Sequence, residues 1–166
     1  LKKILGSDLE FFMLDKITEG AACSVAAYLR EYGCKGDILV DLVDQHLDLG
    51  RGFTKFIKEN KANVEGVIPT FKSRYWKWSY ARVDKDGFVK EVQEKVNPPI
   101  SDNATAGVYY FSSSKGFLSA AGQMVELNKR VKFNNKFFVS CVYNELPMRS
   151  VITYPTQIIC PLGSVE

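Results

Sequence analysis

The sequence predicts an α/β fold in which helices flank a mixed sheet, and three observations carry that prediction. Apolar residues switch along the chain between helical spacing and short strand-length runs. An Asp-Gly turn separates two segments of strand composition, which predicts an inserted β-hairpin. The 166 residues are 46% hydrophobic and 25% charged, the make-up of one ordinary globular domain. A chain of this length buries a core without disulfides or a structural metal.

The elements follow in order. Ala22, Val25, Ala26 and Leu29 recur at helical spacing, so 19–32 reads as a helix, with Thr18 as its N-cap and Gly33 at its end. The apolar run 38–43, after Gly36-Asp37, reads as a buried strand, parallel and central. Phe53, Phe56 and Ile57 mark an amphipathic helix over 51–60, and 64–71 is the next strand. Segments 78–83 and 88–94 form the hairpin around Asp84-Lys85-Asp86-Gly87. Residues 105–111, rich in β-branched and aromatic side chains, read as one strand. Phe117, Ala121, Met124, Val125 and Asn128 share a helix face. Residues 137–139 are extended, 141–146 a helical turn, and 151–156 the closing strand.

Charge and composition remove several classes of partner. A net charge of +3, with both signs mixed along the chain, is too mild for nucleic acid or an anionic membrane. Trp76 and Trp78 beside Arg74 and Lys77 are the one aromatic and basic cluster that could stack on a base. The hairpin already accounts for Trp78 as sheet packing. No stretch of eighteen apolar residues predicts a membrane span, and the start of the chain lacks a signal-peptide pattern. Cys23, Cys34, Cys141 and Cys160 have no paired-ligand spacing and read as reduced thiols of a cytoplasmic protein. The single histidine, His46, excludes schemes that need two. Asp44 follows the strand at 38–43, and open α/β sheets place ligands at the carboxyl ends of strands. From position alone a turn-forming aspartate explains it as well.

A set of stretches in fixed order changes that balance. They are Thr18-Glu19-Gly20-Ala21-Ala22-Cys23-Ser24-Val25, Ile38-Leu39-Val40 running to Asp44-Gln45, and Phe71-Lys72-Ser73 followed by Lys77-Trp78-Ser79-Tyr80-Ala81. Val83 to Val89, Glu91-Val92-Gln93-Glu94-Lys95, the run from Ile100 to Phe111, and Asn144-Glu145-Leu146 continue it. Together they resemble the glucose-1-phosphate thymidylyltransferase-like nucleotidyltransferases, and especially their capsule-biosynthesis branch, over nearly everything from residue 15 onward. The resemblance implies a Rossmann-like sheet and a single, incomplete nucleotidyltransferase domain over 1–166. It implies an enzyme that transfers a nucleoside monophosphate from a nucleoside triphosphate to a sugar phosphate or similar phosphorylated metabolite, with Mg²⁺, for surface-polysaccharide synthesis.

The resemblance also assigns residues. Asp44 would hold Mg²⁺ and serve catalysis. Gly20 and Ala21 would let the backbone approach the base. Glu94 would bind acceptor hydroxyls and Lys95 the acceptor phosphate, with Thr105 and Gly107 lining the acceptor pocket. Gln45 would support the metal or sugar shell.

Two features depart from the family pattern. The family opens with a strand and a Gly-x-Gly-x-Arg loop that grips the triphosphate, and residues 1–6 do not match it. The first strand portion is therefore expected to be missing, leaving a sheet edge that favours self-association or poor solubility. Near the end, Pro161 stands where many relatives carry a second metal-binding Asp, before a Leu-Gly-Ser-Val-Glu ending that matches the family's loosely. The competing readings are a non-catalytic relative that binds nucleotide or sugar phosphate, and a glycosyltransferase of the A type. The latter needs Asp-x-Asp, whereas Asp41 and Asp44 have two residues between them.

Overall fold

The computed structural model describes residues 11–161. The sheet is organised about β3, Gly66–Lys72, whose first five residues are all buried. On one side β3 pairs antiparallel with β7, Val108–Phe111, and further along with β6, Asn103–Thr105. On its other side it pairs in parallel with β8, Val151–Pro155. The hairpin of β4, Ser79–Val83, and β5, Val89–Glu94, joins the sheet through Tyr80 opposite Ala104. β1, Ile38–Asp41, lies antiparallel to β7. β1, β3 and β8 thus run one way with β7 against them, which makes the sheet mixed as expected.

Successive buried residues in β3 and β7 need apolar layers on both faces. Ile68, Tyr109 and Phe111 pack on one face beneath α1, Ala21–Tyr32, α3, Ser114–Glu126, and the short α4, Val139–Val142. Val67, Val108 and Tyr110 pack on the other with Phe53 of α2, Gly50–Asn60. The alternation of strand side chains sorts these residues into two cores. A 3-10 turn, Tyr143–Glu145, follows α4 and brings the Tyr143 ring flat against Phe111 at 4.4 Å.

Four expectations are corrected. β1 is neither central nor paired in parallel: among the described residues it has β7 on one side only, and Leu39 is 54% exposed. It also stops at Asp41, because the Asp41 carboxylate accepts the Val43 N–H at 2.8 Å and Val43 turns the chain at φ 53°. α1 begins at Ala21 with Gly20 at its cap position. The Thr18 hydroxyl instead bonds the Gly20 carbonyl and the Ser24 hydroxyl. The single strand expected over 105–111 is two, β6 and β7, split at Ala106-Gly107. Asn128 lies beyond α3, at φ 49° where the chain leaves the helix.

A second, two-stranded sheet of β2, Gln45–Asp48, and β9, Gln157–Pro161, went unanticipated. Its sequences carry no clean alternation. The remaining elements match to within two residues, and the Asp84 carboxylate accepts N–H bonds from Asp86 and Phe88 to shape the hairpin turn.

Candidate functional site

The site is built from three interruptions in regular structure. The first is at Gly107, between β6 and β7, where φ of 74° is a conformation that only glycine adopts without cost. There the Gly107 carbonyl accepts the Leu42 N–H at 3.1 Å, carrying the β1 and β7 pairing one residue past the strand. The chain then reverses at Val43 and presents Asp44 exposed at the turn into β2. Gly107 therefore shapes the backbone that carries Asp44.

The second interruption is at the end of β5. Lys95 has φ of 52°, and its N–H bonds the Trp78 carbonyl at 3.0 Å. This kink sends neighbouring side chains in different directions. Glu94 is buried, 8% exposed, and its Oε2 accepts the Ser140 hydroxyl of α4 at 2.9 Å. The Lys95 ammonium lies 3.5 Å from the Glu94 carboxylate, 4.8 Å from the Phe138 ring centre and 5.6 Å from that of Phe133. Burial raises the Glu94 pKa above the usual carboxylate value, opposed by the Ser140 hydrogen bond and the Lys95 charge.

The third is the buried pair of Thr105 and Tyr109, whose hydroxyls bond at 2.9 Å. Burial raises the Tyr109 pKa, and the negative charges of Glu94 and Asp44 raise it further. The same surroundings push the Cys141 thiol up to about 12, through burial and then Glu94. Of the residues singled out in the sequence, Glu94, Lys95 and Thr105 lie in this neighbourhood, whereas Asp44 stands exposed at the turn that Gly107 helps to shape.

Gly20 and Ala21 sit apart from those contacts, at the start of α1. Gly20 has φ of 137°, and a Cβ there would overlap the Phe137 carbonyl and lie 2.7 Å from its nitrogen. The close backbone approach at this glycine is to Phe137, which accepts the Ala22 N–H and donates to the Glu19 carbonyl. The Gln45 and His46 side chains, residues 1–6 and the ending from Leu162 to Glu166 lie outside the described residues.

Magnesium takes one or two carboxylates and completes its shell with water and phosphate oxygens. Among the described residues no group of three or more His, Cys, Asp or Glu side chains is placed to hold a metal. An exposed single carboxylate such as Asp44 fits that sparse requirement. Asp41 is committed to its own turn through Val43. Tyr109, Ser140, Phe133 and Phe138 escaped the sequence reading. Tyr109 and Ser140 look like core positions, and Phe133 and Phe138 meet Lys95 only through the fold.

A cavity of about 560 Å³ opens beside Glu94 and Lys95, bounded by β5, the end of α3 and residues 129–133. A larger one, about 790 Å³, lies at the hairpin turn against Arg149, away from these residues. Among the described residues no helix is long and apolar enough to cross a membrane.

No protein-family model and no curated protein matches the chain. Solved structures do. One is the nucleoside-diphosphate-sugar pyrophosphorylase from Vibrio cholerae RC9, with TM-score 0.67 and 21% identity over 86% of this chain and 59% of that one. A second is a protein assigned as a glucose-1-phosphate thymidylyltransferase from Bacillus anthracis, in complex with a sucrose, with TM-score 0.65 and 13% identity over 89% and 57%. A third is HddC from Yersinia pseudotuberculosis complexed with GMP-PN, with TM-score 0.60 and 14% identity over 93% and 61%. The chain thus spans less than two thirds of the length of each. It shares their fold, a mixed α/β fold as the sequence predicts.

Proposed function

We propose that the chain carries the acceptor-binding and metal-binding part of a nucleotidyltransferase that joins a nucleoside monophosphate to a phosphorylated small molecule. One observation supports this above the others. Thr105 bonds the buried Tyr109 hydroxyl at 2.9 Å, and the buried Glu94 of a separate motif, with Lys95 at 3.5 Å and Ser140 at 2.9 Å, lies close enough for its charge to act on the same hydroxyl. A buried carboxylate such as Glu94, whose charge burial disfavours, is costly to keep unless it has a task beyond packing.

In this reading a phosphate oxygen of the acceptor forms a bond to the α-phosphorus of a nucleoside triphosphate. The bond from that phosphorus to the bridging oxygen breaks, and its electron pair leaves with pyrophosphate. Lys95 binds the acceptor phosphate and offsets its charge. Glu94, held by Ser140, accepts hydrogen bonds from acceptor hydroxyls. Thr105 and Gly107 line the pocket, and Gly20 and Ala21 start the helix that borders the nucleotide. Mg²⁺, held through Asp44, would neutralise phosphate charge. The setting that fits this chemistry is cytoplasmic synthesis of a sugar nucleotide or related precursor for capsule or surface polysaccharide.

The test is pyrophosphate release by the longest natural form of the protein, with Mg²⁺, each of five nucleoside triphosphates and a panel of phosphorylated sugars and amides. Release that requires one triphosphate and one acceptor supports the reading. Absence of release, with nucleotide or sugar phosphate still bound, replaces it with a non-catalytic binding relative.

A further inference from the structure

Glu94 and Lys95 are neighbours in sequence, and one short segment grips both of their charges. Ser140 donates its hydroxyl to Glu94 Oε2 at 2.9 Å. Two residues earlier, the ring of Phe138 stands 4.8 Å from the Lys95 ammonium, with the Phe133 ring at 5.6 Å. Phe138 is the cap residue of α4 and Ser140 lies inside it, so the start of α4 meets both members of the pair.

The two grips differ in kind. The hydroxyl is bonded to its carboxylate, whereas an aromatic face attracts a cation through its quadrupole and leaves N–H groups free to bond oxygen. The ammonium sits 3.5 Å from the Glu94 carboxylate, beyond the ~3.2 Å reach of a well-formed N–H···O bond. Unlike charges attract strongly where water is scarce, and Glu94 is buried, so an ammonium on a flexible stem would otherwise close on it. The rings oppose that closure. Phe133 lines the cavity beside Lys95 and packs edge-on to Trp76 at 6.0 Å. Phe138 is half-buried and is not among the described residues that line the cavity, so it reaches a ligand there only through Lys95.

We propose that Phe138 is a positioning residue for Lys95: its ring holds the ammonium off Glu94, so that the N–H groups stay available to an anion in the cavity. The identity of that anion as the acceptor phosphate rests on the proposed nucleotidyltransferase reading. The placement of the ammonium does not.

Two measurements on the whole chain test it. The first needs no ligand and follows the Glu94 carboxyl by NMR titration in the parent, Phe138→Leu, Phe138→Met and Phe138→Tyr. Without the ring the ammonium should close on the carboxylate and lower the Glu94 pKa by about half a pH unit or more, in the Leu and Met variants alike. Phe138→Tyr keeps an aromatic face and should match the parent. In a Lys95→Gln background Phe138→Leu should shift nothing, because the effect runs through the ammonium. An unchanged or raised Glu94 pKa overturns the proposal, as does an equal fall with and without Lys95, the mark of loosened packing. The second probe is inorganic phosphate at fixed ionic strength. The parent should bind it more tightly than Lys95→Gln, and Phe138→Leu should weaken that binding by about tenfold while Phe138→Tyr keeps it. Phosphate binding that does not depend on Lys95, or that ignores the ring, also overturns it. The pyrophosphate assay fails separately. No release, with both results as expected, sinks the enzyme reading and leaves the positioning role. Release by the parent, with neither measurement moved by Phe138→Leu, sinks the positioning role and leaves the enzyme.

Discussion

Glu94 is a buried carboxylate whose pKa is raised by burial against the opposing Ser140 bond and Lys95 charge. The folded state therefore holds its proton at pH values where the unfolded chain has lost it. Stability from this group is full below the ordinary carboxylate pKa and is lost as pH rises through the raised one. Glu94→Gln should accordingly raise the melting temperature at pH 7 relative to the parent, with the advantage shrinking toward pH 4 in thermal melts. Its activity should fall by about a hundredfold or more, since hydrogen-bonding groups that act on the acceptor are worth a few kcal/mol. Gly20→Ala is the opposite kind of change. Overlap with the Phe137 backbone and the φ of 137° should cost about 2 kcal/mol or more. A melting temperature lower by about 4–8 °C would express that in a domain of this size. The residues of the site were legible to different degrees. Glu94-Lys95 and Asp44 were visible because motif order marks charged residues. Ser140 and Tyr109 were not, since a buried hydroxyl beside a carboxylate has the same local pattern as ordinary core.

Elements position these residues through their ends. β5 is backed along one edge by Asn144, whose side-chain amide accepts the Val92 N–H and donates to the Val92 carbonyl, each at 2.8 Å. A single side chain thus imitates a neighbouring strand two residues before Glu94. Asn144→Ala should cost about 1 kcal/mol, because water replaces part of the lost pairing at this half-open position. Faster amide exchange at Val92 would locate the effect. Gly107→Ala should leave most of the fold intact and disturb the Leu42 bond, so that activity falls further than stability. The helix and strand order was readable because periodicity and the Asp-Gly turn are local signals. β1 was misplaced because a short apolar run such as 38–43 reads alike at the centre and at the edge of a sheet. The break between β6 and β7 was hidden because a glycine within a strand-like run does not announce its φ. The pairing of β2 with β9 joins segments over a hundred residues apart, which no local pattern encodes.

The whole molecule combines two cores, one on each sheet face, with an uneven surface. Tyr28, Tyr32 and Leu39 are exposed around the groove between α1 and β1, on the side where β1 has no strand partner among the described residues. Such an edge beside apolar surface favours association. The 166-residue chain on its own should bind a polarity-sensitive dye and run larger than a monomer in light scattering, whereas a dye-silent monomer would contradict this. The mixed sheet also explains how distant motifs meet, since β5, β6 and the end of β1 all reach the neighbourhood of Tyr109. In the proposed function Asp44 would hold the Mg²⁺ for nucleotidyl transfer. The most direct measurement is the steady-state rate of pyrophosphate release, at saturating Mg²⁺ and with the best triphosphate and acceptor, for the parent and Asp44→Asn. Because Asp44 is exposed at a turn, the variant should melt within about 1–2 °C of the parent and release pyrophosphate at least about a hundredfold more slowly. An unchanged rate in a folded variant would contradict the account.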